Sequence, residues 1–290
     1  MYYFLSLICG ILISLMVAFN GSLSQQYGLY ASTFFIHISG LVFISALVLA
    51  KREHPFAKRH RWFLYLGGAI GVTTILFNNF AFARISVSAL LALSLFGQGL
   101  AGLIIDQYGW LGMPKHPFRK QRLVGLTLTL CGVAVMMDRF DFVAILLTVI
   151  SGVNVVVART LNAKLAEYTS VRISTFYNYF VGVAVSIPIL FILGRNDAAF
   201  SGLVISQDFY IYLGGFLGAC TVLISNILVS KIPSVYLSLL LFVGQVFTGV
   251  VIDAVISQSF SPHIFIGGIL VATGLCADLI LDRKNRGKPV

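Results

Sequence analysis

Ten long stretches of this chain carry almost no charge, and that scarcity constrains the fold more than any motif does. The apolar runs fall at roughly 3–22, 31–50, 62–83, 87–108, 121–138, 142–163, 172–193, 209–230, 234–256 and 263–282, separated by basic clusters, glycine or proline. About 20 mainly apolar residues suffice for a helix to cross a bilayer. Ten such runs plus short connections account for nearly all of the 290 residues. Helices satisfy their own backbone hydrogen bonds in lipid, and these runs are too long and too uniformly apolar for alternating barrel strands. The expected fold class is an all-α integral membrane protein with ten transmembrane helices. At 58% hydrophobic and 10% charged, against about 45–50% and about 25% in soluble domains, the composition leaves no room for a separate soluble domain. The first run lacks a basic leader and a small-residue cleavage site, so it reads as a retained helix.

The basic residues set an orientation. With the connections numbered alternately, sixteen lysines and arginines fall on the side of the N-terminus, from Lys51 to Lys288. Three, Arg84, Arg139 and Arg195, fall on the other side, and Arg159 is placed near the first-side end of the sixth span. The positive-inside rule makes the first side cytoplasmic, with both termini there. The net charge of +10 is then a topology signal reinforced by anionic lipid, and nucleic acid is not an expected partner. Cys9, Cys131, Cys220 and Cys276 all lie within apolar runs without metal-ligand spacing, so they read as small buried hydrophobes. No metal site and no cofactor are expected.

The second half of the chain repeats the first. At an offset of 147, Tyr65–Gly68 (YLGG) returns as Tyr212–Gly215, Asn79 meets Asn226, Arg84 meets Lys231, Gly97-Gln98 meets Gly244-Gln245, and Asp106 meets Asp253. Over 65–106, 16 of 42 positions are identical, too many for shared apolar composition alone. On either side the offset is 142, pairing Gly10 with Gly152, Asn20 with Asn162, Ser32-Thr33-Phe34 with Ser174-Thr175-Phe176, Gly40 with Gly182, and Gly132 with Gly274. The expected halves are residues 1–140 and 141–290, five spans each, joined in one membrane domain. An odd number of spans inverts the second copy, and inverted repeats are characteristic of secondary transporters.

Ten helices as five plus five, with GLIIDQYG at 102–109 and the partial echo GVVID at 249–253, resemble the drug/metabolite transporter superfamily. The stretch SLFGQGLAGLIIDQYGWLG narrows the resemblance to its YdcZ-like branch, in a fused two-repeat form. The resemblance covers essentially the whole chain. It implies a transporter, with export the expected direction, and it supplies no substrate.

Candidate site residues follow from polarity at mid-span. Gln98 and Gln245 lie near the middle of their runs and are related by the repeat. An unpaired amide in hydrocarbon costs several kcal/mol, so each must face substrate, water or a neighbouring helix; substrate binding and interhelical contact are both open. Asn154 is a second candidate, opposite Leu12 in the other copy. His37 is the one histidine inside an apolar run and pairs with Tyr179, beside Tyr177; an intramembrane ionisable group is a functional candidate by default, although a hydrogen-bonded structural role competes. Asp106 and Asp253, at opposite ends of related helices, read as gate or helix-end groups, as do Asn79 and Asn226. No carboxylate sits at mid-span, which lowers the case for a proton-coupled exporter of organic cations. Pro188 is expected to kink its helix.

No nucleotide-binding loop or catalytic constellation recommends an enzyme. The expectation is a secondary transporter that moves a small polar, weakly charged or aromatic compound by alternating access, with the lipid bilayer and the substrate as its partners. A membrane scaffold without transport is the alternative. The fused chain holds both copies and so is able to act as a monomer; a homodimer stays open.

Overall fold

The computed structural model describes residues 1–57, 60–108, 122–137, 140–202, 204–229, 231–232, 234–258 and 261–286. Among these residues there is no strand, and ten helices have fifteen residues or more. They are α1 Tyr2–Tyr27, α2 Leu29–Ala50, α3 Leu66–Phe82, α4 Val87–Tyr108, α5 Arg122–Met136, α6 Phe142–Tyr168, α7 Val171–Leu193, α8 Gly214–Val229, α9 Ser234–Ser257 and α10 Pro262–Arg286. Short 3-10 turns, Trp62–Tyr65 and Phe209–Leu213, lead into α3 and α8. Eight segments are long and apolar enough to cross a membrane, and Thr127–Met136 of α5 and Pro262–Gly274 of α10 are shorter apolar helices.

The helices carry their large apolar side chains outward: Val42, Leu49, Phe191, Ile192, Val251 and Val255 are exposed, while Ser6, Ser14, Ser32, Thr33, Thr148, Ser151, Ser174 and Thr175 are buried. That is the arrangement expected where lipid is the solvent and small or hydroxyl residues let helices approach. Some buried hydroxyls return to carbonyls of their own helix, as in Thr33 to Leu29 O at 2.8 Å and Thr148 to Ala144 O at 2.7 Å, and others, Ser14, Ser151 and Ser174 among them, donate to a neighbouring helix.

Two expectations need correction. The sixth helix runs to Tyr168, five residues beyond the expected end at 163, because Asn162 and Leu165 continue its buried face. This moves Arg159 from the end of a helix into its body. Cys131 is exposed, not buried; Cys9 alone is fully buried, and Cys220 and Cys276 are intermediate. Pro188 lies inside the seventh helix, Val171–Leu193.

Contacts between helices come in matched sets. α1 packs on α8 and α9, and α6 packs on α3 and α4; α2 pairs with α7, α5 with α10, and α4 with α9. Exchanging the first five helices for the last five maps this set onto itself. Glycines set the closest crossings. A Cβ at Gly97 would lie 2.1 Å from Val149 O, and one at Gly152 2.0 Å from Ser94 O, so α4 and α6 meet almost backbone to backbone. At the α1–α9 crossing the related Gly10 and Gly244 would place a Cβ 2.4 Å from Leu241 O and 2.5 Å from Leu7 O.

Candidate functional site

The crossing glycines bring the residues next to them into one space. A cavity of about 90 Å³ lies between α1, α3, α4, α6 and α9. Its α1 wall is Ile13, Met16, Val17 and Asn20; α3 gives Thr74, Ile75, Asn78 and Asn79. Leu90, Leu91, Ser94 and Gln98 come from α4, Val155 and Arg159 from α6, and Gln245 from α9. Several water molecules fit such a volume, whereas drug-sized ligands occupy about 300–1,000 Å³. In this conformation only a small solute is accommodated.

Gln98 and Gln245 line the same cavity. Gln245 is buried, and its main-chain carbonyl accepts the Ser14 hydroxyl at 2.8 Å. Gln98 Oε1 accepts from Arg159 Nη2 at 3.4 Å. Asn79, expected at a gate, lines the cavity too, and its amide donates to Ser32 Oγ at 3.4 Å. Its counterpart Asn226 is buried elsewhere, and its Nδ2 has no hydrogen-bond partner among the described residues. Asn154 turns from the cavity to the α3–α6 seam, donating to Thr73 Oγ1 at 3.0 Å.

His37, Tyr177 and Tyr179 lie outside the cavity, along the α2–α7 pair. His37 Nδ1 donates to Thr33 O at 2.8 Å, the roles following because a carbonyl only accepts. Its ring covers Gly182, and the Tyr179 ring covers Gly40, each filling the space a Cβ would need. The two residues are related by the repeat and do the same packing work on each other's helix. Tyr177 Oη donates to Pro55 O at 2.8 Å and its ring lies 4.6 Å from that of Tyr65, which ties α7 to the 51–61 connection.

Carboxylates hold helix ends across the halves. Asp253, at the end of α9, accepts the main-chain N–H groups of Val87 and Ser88 at 2.7 and 2.8 Å and the Ser88 hydroxyl, capping α4. Asp197 caps α2 in the same way, from Tyr30 N at 2.8 Å and Ala31 N at 2.7 Å. At the opposite end of the bundle Glu53 accepts from Ser170 Oγ at 2.7 Å and from Arg172. Carboxylates at helix N-termini satisfy orphan donors and oppose the helix dipole. The side chain of Asp106 lies outside the described residues, as do Asp138 and Arg139. Arg84 returns to its own helix end, donating to Phe80 O at 2.9 Å, and pairs with Asp141 at 3.4 Å.

Arg159 is the residue that reading the sequence missed. It is the one charged side chain among the described residues lining the cavity, yet it looked like a helix-end cation of the topology signal. The signal that could have found it was its repeat partner, Val17: a charge replaces an apolar residue within a matched helix.

Fold and cavity together define a multi-pass helical membrane protein with a pocket of mixed polar and apolar lining between its helices. The family described as "Putative inner membrane exporter, YdcZ" matches residues 1–135 and matches again at residues 143–277, and the chain belongs to that family, carrying two copies of its unit. It is a multi-pass inner membrane protein of a transporter family associated with efflux. No curated protein matches the chain. Fourteen chains of solved structures do. One, described only as "Crystal structure of protein", is 15% identical with a TM-score of 0.66, covering 99% of this chain and 98% of its own; it shows the fold alone.

Proposed function

We propose that this protein is a secondary transporter that exports a small polar solute by alternating access between two inverted five-helix halves. In this reading all ten long helices span the membrane, residues 1–140 and 141–290 are the halves, and both termini are cytoplasmic. The observation that carries it is the convergence of Gln98 and Gln245, one from each copy, on a single cavity. The matched helix pairs and the twofold family match support the inversion, and sixteen basic residues against three support the orientation. Inverted repeats place their substrate site at the seam between copies and exchange access by rocking one against the other.

Asp253 then belongs to the outer mouth, where its hold on the start of α4 must loosen for the cavity to open on that side. Asp106 occupies the equivalent place at the inner mouth. Asn79, Gln98 and Gln245 bind the solute; Asn154, Asn226, His37, Tyr177 and Tyr179 hold the helices that move.

Reconstitution tests the reading. Purified protein in proteoliposomes, offered a broad set of small metabolites, is expected to show saturable flux of at least one. Gln98→Ala and Gln245→Ala are each expected to abolish that flux while the protein still purifies as a folded species. Full transport by both variants would remove the glutamines from the site, and tags on equivalent loops of the two halves facing one compartment would remove the inversion.

A further inference from the structure

The cavity has a charge without a counter-charge. Arg159 lines it, and among the described residues no carboxylate pairs with Arg159 and no acidic residue lines the space. A guanidinium offers five N–H donors. The hydrogen bond from Nη2 to Gln98 Oε1, at 3.4 Å, is long beside the ~2.7–2.9 Å of charge-assisted pairs. Ionisable groups within membrane helices are costly and face cavities or partners. On the opposite wall the repeat partner is Val17, which also lines the cavity, so the duplication does not supply a balancing group.

From this we infer that the transported solute is a small organic monoanion, a carboxylate on a short partly apolar body. The inference rests on the transporter reading above and names its substrate class. A carboxylate suits the planar fork of an arginine, which holds it through two parallel hydrogen bonds. One fixed positive charge matches one negative charge; a cation is repelled, and a neutral amide leaves the arginine uncompensated. Gln98, Gln245 and Asn79 supply amide donors and acceptors for a hydroxyl or keto oxygen on the same molecule, while Met16 and Val17 cover its carbon skeleton. The volume of about 90 Å³ limits the body to a few carbons in this conformation.

The test uses the full chain in detergent and in proteoliposomes, with lactate and 3-hydroxybutyrate, their amides, and the matching hydroxy amines as probes. Titration calorimetry and thermal shift are expected to show saturable binding of the acids and none of the amides or amines. Arg159→Gln is expected to weaken acid binding by roughly thirtyfold or more, as loss of one partner of a desolvated ion pair does, and Arg159→Lys to restore part of it. Unliganded melting temperature and size-exclusion profile establish that Arg159→Gln is folded; if it is not, the Lys variant and the acid-against-amide comparison in the native protein decide. Acid binding unchanged in a folded Arg159→Gln, amides or amines bound as tightly as acids, or no acid bound at all overturns the inference. Flux of an amide or amine that survives Arg159→Gln would do so and leave the transporter reading standing. Arg159-dependent acid binding with no flux in proteoliposomes would support the anion site and sink the transporter reading.

Discussion

The α3–α6 seam and the α8–α1 seam both join the first half of the chain to the second, are related by the repeat, and are built to different chemistry. In the first, Asn154 donates to Thr73 at 3.0 Å and Ser151 donates to Asn78 at 2.6 Å. The equivalent positions of the second carry Leu12 and Cys220, then Cys9 and Ser225, and its contacts are weak sulfur ones, Cys9 to Thr221 O at 4.0 Å and Thr221 Oγ1 to Met16 Sδ at 3.8 Å among them. What both seams keep is shape. Asn162 covers Gly67 in one, and Asn20 covers Gly214 in the other. Duplication preserved the close approaches that define the fold and released the side chains that tune strength and solute chemistry. The same division shows in the cavity, where Val17 on α1 faces the space that Arg159 enters from α6.

The largest effect is expected where shape is shared. Gly97→Ala and Gly152→Ala place a methyl about 2 Å from a main-chain carbonyl that no rotamer change can clear; Gly10→Ala and Gly244→Ala have a few tenths of an ångström more. Overpacking of this kind costs about 1–3 kcal/mol. Melting of the purified protein is expected to fall for all four, and further for the α4–α6 pair. Four neutral substitutions would mean that the two crossings widen by the size of a methyl at no cost.

A smaller effect is expected where the seams differ. Asn154→Leu gives the α3–α6 seam the residue its counterpart already has. The lost bond to Thr73 is worth about 0.6 kcal/mol by the average for side-chain hydrogen bonds between membrane helices. The reverse change, Leu12→Asn, gains nothing comparable, because the position equivalent to Thr73 holds Cys220. Equal and opposite shifts in melting temperature for the two variants would erase the asymmetry.

These contrasts mark what could be read from the chain. Helix positions followed from hydropathy, since each run is long and nearly free of charge. The repeat followed from glycine, glutamine and asparagine at fixed offsets, because those residues hold crossings that tolerate little change. Gln98, Gln245 and Asn79 were found as polar positions, and the structure brings them to one cavity. Arg159 was not found, since placing it required the true length of α6, and helix ends are the least defined feature of an apolar run. His37 and Tyr179 were paired by the offset, but their packing on Gly182 and Gly40 depends on which face of α2 meets α7, which uniformly apolar helices do not reveal. The cap that Asp253 makes on α4 joins residues 165 and 166 positions apart, and no local pattern announces it.

The smallest effect concerns the two ends of the α2–α7 pair, where Asp197 caps α2 and Glu53 fastens the start of α7. Desolvation pushes the Glu53 carboxyl up, but the hydrogen bonds from Arg172 and Ser170 outweigh it, and its pKa ends below the ordinary 4.5. A depressed carboxyl contributes stability that is whole above the unfolded value and is lost as pH falls through the folded one. The fastening is therefore complete at neutral pH and fails only in acid. Arg172 is 40% exposed and Glu53 19%, so solvent reaches the pair and its screening holds the contribution to a few tenths of a kcal/mol, about the median for such pairs. Glu53→Gln is expected to lower the melting temperature slightly at pH 7 and to converge with the native protein at acid pH below that range, because protonation removes the same charge. A difference that persists undiminished into acid would show that Glu53 acts there through packing or neutral hydrogen bonds, and that the two ends of the pair are held by different forces.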